Sequence, residues 1–167
     1  MNDDTATAAN PSASPPPKVR TVFDVEPTNR CNARCIMCPR DRTPEQGDMD
    51  EKTFRQVVAR ALEYGPVEAL VLGGLGEPTV HKGLVEFVRI AADAGIRPSV
   101  ITNAYLMDRK MSKALITAGI KNVDVSIGGY TKEVYESVQV GLKFERVYRN
   151  TMDFIAVSYT HLRAHET

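Results

Sequence analysis

The sequence lacks a charge excess, a long apolar run and a useful number of cysteines, and each absence excludes something. Lysine plus arginine and aspartate plus glutamate both number 21 in 167 residues, so the formal net charge is zero. That balance gives no sign of the basic patch a nucleic-acid partner requires. No apolar stretch approaches ~20 residues, so no segment reads as a membrane-spanning helix. The amino terminus, MNDDTATAANPSASPPP, carries Asp3 and Asp4 without an apolar stretch, so it does not read as a secretory signal. Three cysteines are an odd and poor basis for a disulfide framework. They point to a reducing, cytoplasmic setting with metal or redox chemistry.

What is present suits one domain with an ordinary core: 43% of residues are hydrophobic and 25% charged. Residues 1–18 are mostly Ala, Ser, Pro, Asn and Thr, have little to bury, and are expected to be a disordered leader. From Val19 strand-like and helix-like stretches alternate. TVFDVEP (21–27) reads as a strand that ends in the cysteine segment. Phe54, Val57, Val58, Ala61 and Leu62 recur at helical spacing, with Asp50 to cap the start and Gly65-Pro66 to stop it. VEALVLGG (67–74) is a nearly continuous apolar strand. Leu84, Val88, Ala91 and Ala92 mark a second helix closed by Gly95, and RPSVITN (97–103) a third strand. Met111, Leu115 and Ala118 mark a third helix between Asp108 and Gly119, and KNVDVSI (121–127) a fourth strand. Phe144, Val147, Thr151, Phe154 and Ile155 line one face of a further helix. Such alternation predicts an α/β fold with a parallel sheet. Sites in these folds gather at the carboxyl ends of the strands. Here those positions hold the cysteine segment, GLGEP, NAYL and GGYT.

The last eleven residues, VSYTHLRAHET, break the pattern and contain His161 and His165. One reading frame of the transposon-end adapter used in preparing sequencing libraries encodes them. Residues 156–167 are therefore expected to be foreign to the gene, with the domain spanning 19–155. The alternative is a genuine fifth strand.

All the thiols lie in CNARCIMCPR (31–40), as Cys31, Cys35 and Cys38. Three soft ligands in one short loop can surround one small inorganic unit. A structural zinc ion wants four closed ligands, and a [4Fe–4S] cube normally takes four thiolates. Three thiolates on such a cube leave one iron open to a substrate or cofactor. The spacing C-x3-C-x2-C after a first strand resembles the radical S-adenosylmethionine (SAM) superfamily. EPTNRCNARCIMCPR resembles in particular its SPASM-type and GTP-cyclase-like branch, whose members carry a cysteine-rich carboxyl-terminal extension. No such extension is present in this chain.

The resemblance implies a partial (β/α)6 barrel, of which about four units are present. An incomplete barrel leaves an open sheet edge, which predicts marginal stability and aggregation. The resemblance also implies a [4Fe–4S] cluster on Cys31, Cys35 and Cys38, with SAM on the open iron. Reductive cleavage of SAM to a 5′-deoxyadenosyl radical would then abstract hydrogen from a peptide, cofactor precursor or carbohydrate. Further partners implied are a reductant such as flavodoxin or ferredoxin, with no nucleic acid and no membrane. In GLGEP, Gly76, Glu77 and Pro78 match the family's GGEP segment, which meets the methionyl amino group; Leu75 departs from it. Asn103 matches the Asn of TNG, a ribose contact, while Ala104 replaces Gly. Ser126 matches SxDG, and Gly128 stands where Asp is usual. Met37 takes the place of the residue that packs against adenine. Other roles remain open for these residues: turn formation for Gly76 and Asn103, packing for Met37. No residue is singled out as the catalyst. Other readings are an electron carrier or binding module that uses the cluster without SAM, or a structural zinc module.

Overall fold

The computed structural model describes residues 21–42 and 45–164. The expected leader over 1–18 lies outside the described residues, as does His165. Four parallel strands form the sheet: β1 (Thr21–Val25), β3 (Val67–Leu72), β4 (Arg97–Thr102) and β5 (Asn122–Val125), adjacent in that order. Two shorter segments, β2 (Arg34–Cys35) and β6 (Gln139–Val140), make a separate antiparallel ladder.

Helices fill the crossovers where the apolar spacing places them. α1 (Glu51–Tyr64) starts where the Asp50 side chain accepts from Thr53 N at 2.7 Å, and it buries Phe54, Val58 and Ala61. Leu62, expected on that face, is instead largely exposed. α2 (Leu84–Asp93) buries Leu84, Phe87, Val88, Ile90 and Ala91. The rings of Phe54 and Phe87 stack with centroids 4.1 Å apart and join the two helices. α3 (Arg109–Thr117) is capped by Asp108, which accepts from Met111 N at 2.8 Å. These apolar side chains meet Leu70, Leu72 and Val100 of the sheet, all fully buried. Each such burial stabilises the fold by about 1.5–3 kcal/mol before entropy is counted. Ala69 and Val71, on the other face of β3, are only half-buried, so the second face of the sheet is partly open.

One helix was not expected, and another, expected from Phe144 to Ile155, runs further than its apolar spacing indicates. α4 (Lys132–Val138) forms in a charged stretch that reads as a solvated face; it buries Tyr135 completely and runs directly into β6. α5 (Phe144–Ala164) packs on α3 and continues unbroken past Ile155. The residues after Ile155 are thus helical through Ala164, and the strand alternative is not what forms. Val157 is buried, while Ile155 is half exposed and does not belong to the packed face. Among the described residues no helix is long and apolar enough to cross a membrane.

Candidate cofactor site at the carboxyl edge of the sheet

A cleft of about 400 Å³ opens at the carboxyl ends of the strands. Cys31, Cys35, Met37 and Cys38 are among the residues that line it, together with Gly76, Glu77, Asn103 and Ser126. All eight residues that sequence reasoning singled out are therefore brought together. Their states differ. Glu77 and Asn103 are buried, Met37 and Ser126 are exposed, and the three cysteines are half-buried free thiols.

Glu77 is the polar centre of the wall. Its Oε1 accepts from Thr79 N at 3.0 Å and from the hydroxyls of Thr79 and Thr102, each at 2.5 Å. Its Oε2 accepts from Asn103 N at 2.7 Å. A carboxylate offers about four acceptor positions, and four donors reach Glu77, three of them crowded on Oε1 and one on Oε2. The Glu77 side chain joins the ends of β3 and β4, and Oε2 keeps room for one more donor. The backbone of the same residue ties to the cysteine segment: Glu77 N donates to Arg30 O at 2.8 Å. Gly76 cannot be replaced here without a shift, because a Cβ would fall on the Thr28 carbonyl and within 2.8 Å of Asn29 Cα. Glu26 adds a further tie, its Oε1 accepting from Leu75 N at 2.5 Å and Gly76 N at 3.1 Å.

Asn103 donates from Nδ2 to Asn32 Oδ1 at 2.8 Å and accepts from Tyr105 N at 3.0 Å. Its side chain thus bridges to the residue beside Cys31. Ala104, which replaces the expected glycine, has φ +57°, a left-handed conformation that costs an L-residue about 1–2 kcal/mol. Asn150 of α5 holds that turn by donating to Ala104 O at 2.8 Å and Tyr105 O at 2.9 Å.

The thiol loop is itself pinned. Cys35 pairs with Gln139 across the β2–β6 ladder, and Ile36 N donates to Val138 O at 3.0 Å. Ala33 N donates to Cys31 Sγ at 3.4 Å. Burial pushes the thiols of Cys31 and Cys35 up, and neighbouring negative charge adds to it: Glu77 and Cys38 for Cys31, and the other two thiols for Cys35. Arg40 acts against the rise at both. Positive charge that favours the thiolates is what an iron–sulfur unit would bring.

The site's residues fit such a unit. The donors are three soft thiols on one loop. Among the described residues, no three His, Cys, Asp or Glu side chains are grouped to hold a single metal ion. Two buried donors lack a partner among the described residues, Asn32 Nδ2 and Tyr135 Oη. Asn32 adjoins Cys31, and the charge of Cys35 acts on Tyr135. Burial first, then the charges of Cys35 and Glu77, hold the Tyr135 hydroxyl up at about 12. His81 takes no part in the cleft. Its Nδ1 accepts from Gly83 N at 3.0 Å and its Nε2 faces Met49 O at 2.9 Å, so the ring is a buried structural group.

A four-stranded parallel sheet with a three-thiol loop after its first strand and a GEP turn after its second defines a class of protein. The chain belongs to the Radical SAM superfamily, whose family profile matches residues 25–159. It is 35% identical over 104 residues to the tungsten-containing aldehyde ferredoxin oxidoreductase cofactor-modifying protein of Pyrococcus furiosus, covering 62% of this chain and 29% of that protein. It is 32% identical over 116 residues to the PqqA peptide cyclase of Rhodopseudomonas palustris, covering 68% and 30%. The fold resembles that of native anSMEcpe with bound AdoMet and Cp18Cys peptide, with a TM-score of 0.67 at 24% identity over 83% of this chain and 40% of that one. The chain spans about a third of the length of these two relatives.

Proposed function

We propose that this chain is the cofactor-binding core of a radical SAM enzyme, with Cys31, Cys35 and Cys38 holding a [4Fe–4S] cluster that leaves one iron for SAM. The observation that carries the reading is the meeting of the three thiols with Gly76, Glu77, Asn103 and Ser126 around one cleft. When bound, such a cluster would supply the one electron that splits the sulfonium C–S bond of SAM into methionine and a 5′-deoxyadenosyl radical able to abstract hydrogen from a substrate.

The chain's own residues bind and orient. Gly76 lets the GEP backbone approach the cysteine segment, and the free acceptor position of Glu77 suits an ammonium group. Asn103 offers its remaining amide hydrogen to a ribose hydroxyl. Met37, exposed at the rim, presents a polarisable side chain to the adenine. Ser126 contacts the nucleoside from the β5 side. A peptide or small-molecule substrate and a reductant such as a flavodoxin or ferredoxin complete the reaction, and the setting is cytoplasmic. The PqqA peptide cyclase and the peptide-bound structure favour a peptide among the substrate classes.

Three domain statements belong to the same reading: a leader over 1–18, a core over 19–155, and a foreign tail over 156–167. The sequence of the genomic locus beyond Ile155 tests the last of these.

The functional test uses the product of the uninterrupted gene, reconstituted without oxygen and reduced with dithionite. It should be brown and release 5′-deoxyadenosine from SAM, and the reduced EPR spectrum should change when SAM is added. Cys35→Ala should lose most of its iron and all cleavage. A Cys35→Ala protein with full iron content and cleavage would sink the assignment. A cluster spectrum indifferent to SAM would favour an electron carrier.

A further inference from the structure

Gly128 stands where the family pattern has an acidic residue, and the structure shows what occupies that space. A Cβ at Gly128 would meet Val138 Cγ1 at 2.8 Å and Gln139 Oε1 at 3.3 Å. Gln139 is 4% exposed yet lines the cleft. Its Oε1 accepts from Gly128 N at 2.8 Å, and its Nε2 donates to Ser126 O at 3.2 Å. Its backbone, on β6, pairs with Cys35. One residue therefore reaches from the thiol loop to the exit of β5.

An amide suits this double task because it carries an acceptor and a donor on one short plane. The exit needs it. Ser126 N still donates to Thr102 O at 2.8 Å, but no other hydrogen bond among the described residues reaches Ile127, Gly128 or Gly129. Ile127 is half exposed. Without Gln139 the stretch from Ile127 to Gly129 would keep no hydrogen bond among the described residues.

We propose that Gln139 is a positioning residue for the cofactor: its amide replaces the acidic side chain for which Gly128 leaves no room, and it holds Ser126 at a fixed distance from Cys35. The inference rests on the reading of the cleft as a SAM site. Positioning the two walls together matters because small displacements of binding groups cost affinity and rate steeply.

The test uses the full gene product with its cluster, and compares Gln139→Met with Gln139→Glu. Methionine keeps the buried volume but neither donates nor accepts strongly. Glutamate keeps an acceptor for Gly128 N and loses the donor to Ser126 O. Both variants should hold wild-type iron. SAM titrated against the EPR spectrum of the reduced protein should half-saturate about tenfold later in Gln139→Met and about threefold later in Gln139→Glu, in line with two and one lost hydrogen bonds. Wild-type half-saturation in Gln139→Met overturns the proposal. So does a loss of iron that matches the loss of SAM binding, because Gln139 would then serve only the thiol loop. If Gln139→Met fails to fold, Gln139→Glu decides, and an unchanged half-saturation there overturns it. A wild-type protein that holds the cluster but ignores SAM fails the functional reading itself, and the inference with it.

Discussion

The two walls of the cleft are built differently. On one, the GEP and TN turns meet the cysteine segment through buried groups: Glu77 binds Thr79, Thr102 and Asn103, and Asn103 binds Asn32. On the other, Ser126 and Ile127 are exposed and the amide of Gln139 supplies the tie. The first wall is assembled from residues that hydrogen-bond to one another near the strand ends. The second borrows its support from a ladder more than ten residues downstream. The closed wall should therefore govern stability, and the open wall should govern ligand response with little effect on folding.

The largest effect that would break this contrast lies at Glu77. Glu77→Ala leaves two hydroxyls and two backbone N–H groups without their acceptor. It should cost about 3–5 kcal/mol of unfolding free energy in a denaturant titration; a loss below about 1 kcal/mol would show that the wall is held by other means. Gly76→Ala comes next, because the new methyl meets backbone rather than a movable side chain. A cost of about 2–3 kcal/mol is expected, within the range of strained small-to-large changes, by the same titration.

Tyr135 lies behind the thiol loop and sharpens the contrast from the other side. In cluster-free protein Tyr135→Phe should be neutral or stabilising by about 1 kcal/mol, because it removes a buried hydroxyl that has no partner among the described residues. Burial raises its ionisation to about 12 from an ordinary value of 10.0. Folding stability is therefore indifferent to this group below pH 10 and falls as pH rises toward about 12, a loss that Tyr135→Phe removes. An absorbance titration should show a tyrosine that ionises at about 12 and is missing in Tyr135→Phe. The smallest structural effect belongs to Ser126→Ala: unfolding should change by less than about 0.5 kcal/mol. Half-saturation with SAM should rise by several fold. A stability loss equal to that of Glu77→Ala would erase the distinction between the walls.

The regular elements were legible because their signals are periodic. Asp50 and Asp108 cap helices where they were expected to, and the four strands fall within the apolar runs that announced them. The gathering of the candidate residues was legible as well, because their motifs sit at successive strand ends and a parallel sheet brings those ends together. The β2–β6 ladder was not. Two-residue strands carry no period, and the partners are separated by about a hundred residues. α4 was hidden by Lys132, Glu133 and Glu136, whose charges mask a single buried face formed by Tyr135. Gln139 gave no signal of its own. The hint lay in its absence elsewhere, at Gly128, where a familiar acidic residue had no room. The helix through Ala164 also departs from the sequence reading, which found no apolar period after Ile155, although Val157 is buried.

The ladder between Cys35 and Gln139 has a consequence for maturation. Many small metal sites are unfolded until their ion arrives, so that assembly and folding are one event. Here the thiol segment is stitched to a distant strand and to the GEP turn by protein hydrogen bonds alone. Loading should then resemble delivery into a finished mould, with colour appearing at a rate set by iron and sulfide supply while far-UV circular dichroism barely moves.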